Sequence, residues 1–342
     1  MTAHIHSPSY IAAPDDSNEC WQSQLQHAVT DFDTLVNLLD LPPLKQVSPR
    51  AATKQFPLLV PQPYLARIKP GDWHDPLLRQ VLPLGIECIA APGYQPQPLA
   101  EHDYNPIPGL IHKYHSRVLL TVTRYCAINC RYCFRRHFDY ASNQVKQSQW
   151  QQAIDYIGQR PEITEVIFSG GDPLIAPDNV LSNLSGRIAS IPHVKYLRIH
   201  SRMPIVVPSR VDSSLLNWLA SLPLKVSLVV HCNHPNEIDT AVSASFAKLR
   251  QVDVTLLNQA VLLRQVNDNI EVLEKLSYRL YDSGVLPYYL HMLDRVQGAA
   301  HFEVSLDTAK QLHLALLAKL PGYLVPRLVQ EVPGAAYKVP IN

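Results

Sequence analysis

From about residue 117 onward, short runs of β-branched and aliphatic residues alternate with longer segments in which apolar residues recur every three or four positions. The short runs predict six strands, which begin at Val118, Thr164, Val194, Lys225, Val254 and Leu286. The longer segments predict helices near residues 147–160, 178–190, 212–221, 236–250, 270–283 and 305–319. Successive strand–helix units predict parallel strands with crossover helices, in a barrel or an open doubly wound sheet.

The chain before residue 110 has a different pattern, in which proline interrupts the apolar positions. Many of the 29 prolines lie in LPPLKQVSP, FPLLVPQPY and APGYQPQP, and such stretches predict extended connections. One amphipathic helix is predicted at about residues 20–40 from the spacing of Leu25, Val29, Phe32, Val36 and Leu39. We therefore predict a helical and extended wrapping region over 1–110, an α/β core over 111–320 and a C-terminal segment over 321–342.

Composition and charge argue against several classes of protein. A formal net charge of +1 gives no general attraction to nucleic acid or anionic lipid, and 46% hydrophobic residues are ordinary for a globular chain of 342 residues. The N-terminus MTAHIHSPSY lacks the pattern of a secretion signal, and no stretch approaches the ~18 uncharged apolar residues that a membrane helix needs. We expect a cytoplasmic protein that binds neither nucleic acid nor membrane.

Polar residues follow the predicted strands at their carboxyl ends. They are Cys126 after the first strand, Ser169, Gly170, Gly171 and Asp172 after the second, His200, Ser201 and Arg202 after the third, His231, Asn233 and His234 after the fourth, Asn258 and Gln259 in the fifth, and His291 and Asp294 after the sixth. In parallel α/β barrels this end of the strands carries the active site. The pattern therefore favours a barrel with its site at the carboxyl ends.

The most informative motif is CxxxCxxC, formed by Cys126, Cys130 and Cys133 in TRYCAINCRYCFRR. Three thiolates with this spacing can hold three corners of a cubane iron–sulfur cluster and leave one iron open for chemistry. Structural zinc is the alternative, with His137 as a conceivable fourth ligand. Disulfides are not expected, because Cys20, Cys88 and Cys232 are scattered singly and nothing marks the chain as secreted. Arg131, Arg135 and Arg136 are expected to stabilise an anionic cluster or ligand.

The cysteine loop after the first strand and SGGDPL after the second resemble the radical S-adenosylmethionine (SAM) enzymes, which fold as an incomplete β/α barrel. The resemblance implies a 4Fe-4S cluster on the three cysteines, and SAM, which binds the open iron and yields a 5′-deoxyadenosyl radical. It implies that Ser169, Gly170, Gly171 and Asp172 bind the SAM cofactor. The two glycines would let the backbone approach a ligand closely, and Asp172 could meet an ammonium group.

Over roughly residues 75–342 the chain resembles the lysine 2,3-aminomutases. The resemblance is carried by PGLIHKYHSRVLLTVTRYCAINCRYCFRR, SGGDPL, HSRMPIVVPSR, HPNEI, LLNQAVLLRQVND, PYYLHMLDRVQGAAHF and VPGAAYKVP. It implies a partial (β/α)6 barrel, pyridoxal 5′-phosphate (PLP) as a second cofactor, Lys338 as the lysine that forms its Schiff base, and Arg117 as a PLP contact. Gly334, Ala335 and Ala336 would leave room for the cofactor ring.

The implied reaction converts (S)-α-lysine to (R)-β-lysine, by a SAM-derived radical and migration of the PLP-bound imine nitrogen. By match to the family, Arg135 binds the substrate carboxylate, while Asp294 and Glu331 bind the side-chain ammonium. Glu331 departs from the family, where aspartate is usual. Two alternatives stay open: Arg135 or Arg117 could be a cluster-side or surface cation, and the two carboxylates could pair with Arg295 or Arg327.

The chain is similar to the short bacterial branch that makes β-lysine for modification of elongation factor P. This resemblance implies a functional link to the lysyl ligase of that factor and a reductant protein of flavodoxin or ferredoxin type. A homo-oligomer is possible, and structural zinc is not expected because no cysteine follows Cys232. Two other hypotheses are an aminomutase for another amino acid or pathway, and a non-catalytic iron–sulfur protein.

Overall fold

The computed structural model describes residues 20–43, 49–140 and 150–341. In these residues one nine-stranded sheet runs in chain order from β1 to β9. The strands are β1 (Leu110–Tyr114), β2 (Arg117–Thr123), β3 (Glu165–Gly170), β4 (Tyr196–Ser201), β5 (Lys225–Val230), β6 (Thr255–Val261), β7 (Leu286–His291), β8 (Arg327–Gln330) and β9 (Val339–Pro340). Strands β2 to β8 are parallel, while β1 and β9 add antiparallel edges. The predicted α/β fold is confirmed, as a barrel that does not close.

Short helices precede the sheet: α1 (Trp21–Gln26), α2 (Phe32–Leu38), α3 (Pro49–Gln55), α4 (Gln62–Leu65) and α5 (Pro76–Arg79). The prediction of one helix over residues 20–40 is wrong, because the chain leaves the helix between α1 and α2. There Val29 forms a β-bridge with Val60, through backbone hydrogen bonds of 2.8 and 2.9 Å. Asp31 then begins α2 by accepting a hydrogen bond from the Thr34 amide.

The crossover helices lie where the apolar periodicity predicts them. They are α6 (Trp150–Gly158), α7 (Asp178–Ala189), α9 (Ser213–Ser221), α10 (Thr240–Gln251), α11 (Ile270–Asp282) and α12 (Leu306–Lys319), and the short helix α8 (Met203–Val206) follows β4. The side chains of Asp212, Asp239, Asn269 and Ser305 accept amide hydrogen bonds at the starts of α9, α10, α11 and α12. These caps satisfy amides that have no partner within the helix. The predicted helix start at residues 147–149 lies outside the described residues.

The parallel part of the sheet has one strand more than the sequence predicts. Strand β8 pairs with β7, through Leu290 opposite Leu328. Its four residues carry two buried side chains, Leu328 and Val329, between exposed Arg327 and Gln330, which is too short a pattern to predict a strand. The division of the chain at residues 110 and 320 stays a prediction.

The wrapping region packs against the barrel. One hydrophobic cluster includes Trp21, Leu35 and Tyr64 from this region together with Phe168 and Phe246 from the barrel. No helix in the described ranges has both the length and the apolar character needed to cross a lipid bilayer.

Candidate active site

A cavity of about 430 Å³ lies inside the barrel and extends to the loops that follow the carboxyl ends of β2 and β3. Alternate residues of strands β2 to β7 face it, because side chains of a strand alternate between its two faces. The lining pairs are Arg117 and Leu119, Ile167 and Ser169, Arg198 and His200, Val229 and His231, Gln259 and Val261, and Tyr289 and His291.

The structure brings all the predicted site residues to this one cavity. Its lining includes Cys126, Cys130, Cys133, Arg117, Arg135, Ser169, Gly170, Gly171, Asp172, Asp294, Glu331 and Lys338. Their roles as ligands or catalytic groups stay predictions.

The three cysteines are free and partly buried. Among the described residues, no three His, Cys, Asp or Glu side chains converge as ligands of one metal ion would. A cubane cluster takes each thiolate on a different iron, so the donor set fits a cluster better than a single zinc ion. Burial and the neighbouring thiols raise the pKa of Cys133 to about 11 and that of Cys126 well above its usual range. Iron binding would therefore displace protons from these sulfurs.

His137, the alternative fourth zinc ligand, lies apart from the cavity lining. Its Nε2 is 3.2 Å from the carbonyl oxygen of Gln297. This contact does not support the zinc alternative.

Each of the three arginines expected near the cluster has a carboxylate partner in the wrapping region, which is Glu101 for Arg135 and Glu87 for the other two. Arg131 and Arg136 both donate to the buried carboxylate of Glu87, from Nη2 atoms at 2.6 and 2.7 Å. Glu87 lies in the wrapping region, in a 3-10 turn over Gly85–Cys88. These cations therefore anchor the cysteine loop to the wrapping region, and their expected effect on the cluster stays a prediction.

Gly170 and Gly171 are needed for contact with the cysteine loop. A Cβ at Gly170 would lie 2.5 Å from the Thr123 carbonyl oxygen, and one at Gly171 would lie 2.2 Å from that of Tyr125. The Gly171 amide donates to the Thr123 carbonyl at 2.7 Å. The close approach that the sequence predicts is therefore made to the chain's own backbone.

Asp172 is held by four hydrogen bonds to its carboxylate. Oδ1 accepts from the Leu174 amide at 3.1 Å and the Ser201 hydroxyl at 2.6 Å. Oδ2 accepts from the amides of Arg202 and Met203 at 2.7 and 3.1 Å. Two carboxylate oxygens offer about four acceptor sites. In this arrangement Asp172 joins the ends of β3 and β4, and no acceptor site is left for the expected ammonium.

Arg135 is buried, and Glu101 holds it at two points. Nε and Nη2 of Arg135 donate to the two carboxylate oxygens at 2.8 and 2.6 Å, and Nη1 reaches the Ser169 hydroxyl at 3.1 Å. Arg135 is therefore neither a surface cation nor an open fork for a carboxylate.

Lys338 lies inside the cavity, with its side chain 24% exposed. Its Nζ donates to Glu331 Oε2 at 2.9 Å, and Glu331 Oε1 accepts from Lys113 Nζ at 3.1 Å and the Tyr114 hydroxyl at 2.5 Å. Burial would raise the pKa of Glu331, but Lys338 and Tyr114 outweigh it and lower the pKa to about 2. Glu331 is therefore an ionised partner of two lysines, and β1 meets the segment after β8 through it.

Asp294 is the carboxylate that remains open to the cavity. It accepts no side-chain hydrogen bond from any described residue. Burial raises its pKa to about 7, against the opposing effect of Lys338. The alternative partner Arg295 binds Glu303 instead, at 2.8 Å. Asp294 is therefore available to a cationic ligand.

The cavity also holds polar groups suited to an anionic aromatic ligand. Arg117 stacks over the Tyr114 ring at 4.2 Å and forms no ion pair with a described carboxylate. The buried Nε2 atoms of His200 and His291 also lack hydrogen-bond partners among the described residues. Burial lowers the pKa of both imidazoles well below the usual range, so both are neutral. Arg117, these two imidazole nitrogens and the Lys338 amine are the polar groups that would meet PLP in this cavity.

Sequence reasoning missed Glu87, Glu101, Lys113 and Tyr114. Glu87 and Glu101 lie in 3-10 turns of the wrapping region, and the other two lie on the unpredicted strand β1. Each meets a partner distant in sequence, so no local pattern signals its role.

Comparison with known proteins agrees with this geometry. A Radical SAM superfamily model matches residues 120–204, which contain the three cysteines and the Gly-Gly-Asp turn. The L-lysine 2,3-aminomutase of Escherichia coli K12 is 51% identical over 327 residues, covering 95% of each chain. That of Haemophilus influenzae is 45% identical, covering 93% of this chain and 94% of its own. That of Buchnera aphidicola is 42% identical, covering 95% and 96%.

Membership of the radical SAM superfamily implies a 4Fe-4S cluster and SAM as the groups that the cysteine loop serves. With half of its residues identical to one curated relative over nearly the whole length, the chain belongs to the L-lysine 2,3-aminomutase family of radical SAM enzymes.

Proposed function

We propose that this protein is an L-lysine 2,3-aminomutase that converts (S)-α-lysine to (R)-β-lysine with a 4Fe-4S cluster, SAM and PLP. The observation that carries the proposal is the shared cavity of Lys338 and the three cysteines. The Lys338 side chain is partly buried and lines the same cavity as the cysteine loop. The cluster and SAM supply a radical for hydrogen abstraction, and PLP supplies a carbonyl for the substrate amine.

Lys338 is the residue that would hold PLP. Its Nζ must be unprotonated to act as a nucleophile. The hydrogen bond to Glu331 Oε2, at 2.9 Å, fixes the position of this nitrogen. Arg117, His200 and His291 would supply the remaining polar contacts from the strands around it.

Asp294 and Arg135 would orient the two ends of the substrate. A carboxylate about 4 Å from an ammonium contributes on the order of 4 kcal/mol at an effective dielectric constant of about 20, before desolvation. The open Asp294 carboxylate therefore favours a substrate with a cationic side chain. Glu331 adds little to that preference, because Lys113 and Lys338 already neutralise its charge.

The product would serve the β-lysylation of elongation factor P in the cytoplasm, with electrons from a flavodoxin or ferredoxin type protein. The resemblance to the short bacterial branch supports this assignment. Coexpression with the lysyl ligase and the factor should add the mass of a lysyl group to the factor only when this enzyme is active.

The reaction is tested under anaerobic conditions with the full chain reconstituted with iron, sulfide and PLP. After addition of SAM, dithionite and L-lysine, β-lysine should appear on chromatography only when every component is present. Chiral derivatisation would identify the enantiomer. Deoxyadenosine without β-lysine would indicate another substrate, and a loaded cluster that yields neither product would contradict catalysis.

A further inference from the structure

The guanidinium of Arg202 reaches the cysteine loop from the end of β4. Its Nη1 donates a hydrogen bond to the Cys130 sulfur at 2.7 Å. The residue is only 6% exposed, so water screens this charge weakly. A buried cation therefore lies directly against one of the three cysteine sulfurs.

Buried acceptors fix the guanidinium in this position. Its Nη2 donates to Gln80 Oε1 at 2.8 Å and to Glu237 Oε2 at 2.7 Å. Its backbone amide donates to Asp172 at 2.7 Å. Because these partners come from different elements, the guanidinium cannot leave Cys130 without breaking several buried hydrogen bonds.

One donor of Arg202 remains free. Its Nε is buried and has no hydrogen-bond partner among the described residues. Leaving a buried donor unsatisfied is unfavourable. Since Arg202 lines the cavity, a cluster bound through Cys130 would supply acceptor sulfurs beside the guanidinium.

We propose that Arg202 sets the reduction potential of the iron–sulfur cluster, by stabilising the negative charge that the cluster gains with one electron. Hydrogen bonds to cluster sulfurs and nearby positive charge raise the potential of such centres. The Glu237 carboxylate, at 2.7 Å from Nη2, partly cancels the charge. Arg202 and Glu237 should therefore act on the potential in opposite directions.

The test is an anaerobic redox titration of the reconstituted full chain, without substrate, with dithionite as the electron donor. The reduced cluster is followed by electron paramagnetic resonance. Arg202→Gln should shift the potential to a more negative value and Glu237→Gln to a less negative one. Arg202→Lys should fall between Arg202→Gln and the unmodified protein, because it keeps the charge and loses the planar fork.

Arg210→Gln is the matched control. Arg210 is also fully buried, and it pairs with Asp178 and does not line the cavity. This variant tests whether removal of a buried arginine outside the cavity affects the cluster, and the reduction potential should stay unchanged.

Any of three results would overturn the proposal. An unchanged potential in Arg202→Gln at equal iron content would leave Arg202 with only a structural role. Shifts of the same sign in Arg202→Gln and Glu237→Gln would mean that packing, and not charge, alters the cluster. If Arg202→Gln does not retain iron, Arg202→Lys and Glu237→Gln decide, and an unchanged potential in both contradicts the proposal.

Discussion

Glu101 holds Arg135 at two points, and thereby occupies the guanidinium edge that a substrate carboxylate would need. Nε and Nη2 of Arg135 donate to Glu101, while Nη1 donates to Ser169 and to the Gly170 carbonyl. An arginine has five N–H groups, so only one is left for another acceptor. A carboxylate can bind Arg135 at two points only if Glu101 moves away.

Replacing Glu101 by glutamine should therefore tighten the binding of L-lysine. The substrate carboxylate would no longer compete with a resident anion, and we expect an affinity gain of about tenfold, which corresponds to ~1.4 kcal/mol. Isothermal titration calorimetry with the PLP-loaded protein, in the absence of SAM, measures it. Asp103→Asn is the control, because Asp103 is on the same turn and contacts the exposed His102. Weaker binding in Glu101→Gln would mean that Glu101 positions Arg135.

The affinity for L-lysine should depend on pH through Asp294. The pKa of this carboxyl is raised to about 7, whereas the bound ammonium requires its ionised form. Affinity should therefore increase as the pH rises from about 6 to about 8. Asp294→Asn should abolish most of this dependence and weaken lysine binding more than SAM cleavage. Equal loss of both functions would indicate a structural role for Asp294.

Lys338 should be the lysine that forms the covalent bond to PLP, although Lys113 also pairs with Glu331. Borohydride reduction of the PLP-loaded protein followed by peptide mass mapping should place the pyridoxyl group on Lys338. Lys338→Ala should lose the visible absorbance of bound PLP, and Lys113→Ala should keep it. Label on Lys113 in the unmodified protein would contradict the assignment.

A methyl group at Gly171 should disrupt the cysteine loop. Its Cβ would lie 2.2 Å from the Tyr125 carbonyl oxygen, so the backbone of one segment has to move. We expect Gly171→Ala to bind much less iron on reconstitution and to lose about 2 kcal/mol or more of stability. Iron analysis and thermal unfolding measure the two effects.

Gly186→Ala is the matched control for that substitution. Gly186 lies in α7, and an added Cβ would meet no described heavy atom within 4 Å. Alanine is favoured over glycine in a helix by roughly 1 kcal/mol, so this variant should be as stable as the parent or slightly more stable. Iron loss in both variants would show that the effect is not specific to Gly171.

The sequence by itself determined the α/β core and the spacing of the cysteine loop. Apolar periodicity is a local property, and the predicted strands from Val118 to Leu286 lie close to β2–β7. The three cysteines lie within eight consecutive residues, so their spacing alone indicates a common ligand set.

Tertiary structure decided which charges are free and where the first predicted helix breaks. The apolar spacing predicts one helix, but the helix is interrupted at Val29, because the backbone of Val29 pairs with that of Val60. Glu101 neutralises Arg135 and Lys113 neutralises Glu331, while Asp294 stays open. Such pairings join residues that are far apart in the chain, and their energy depends on burial and distance. No local pattern carries either quantity.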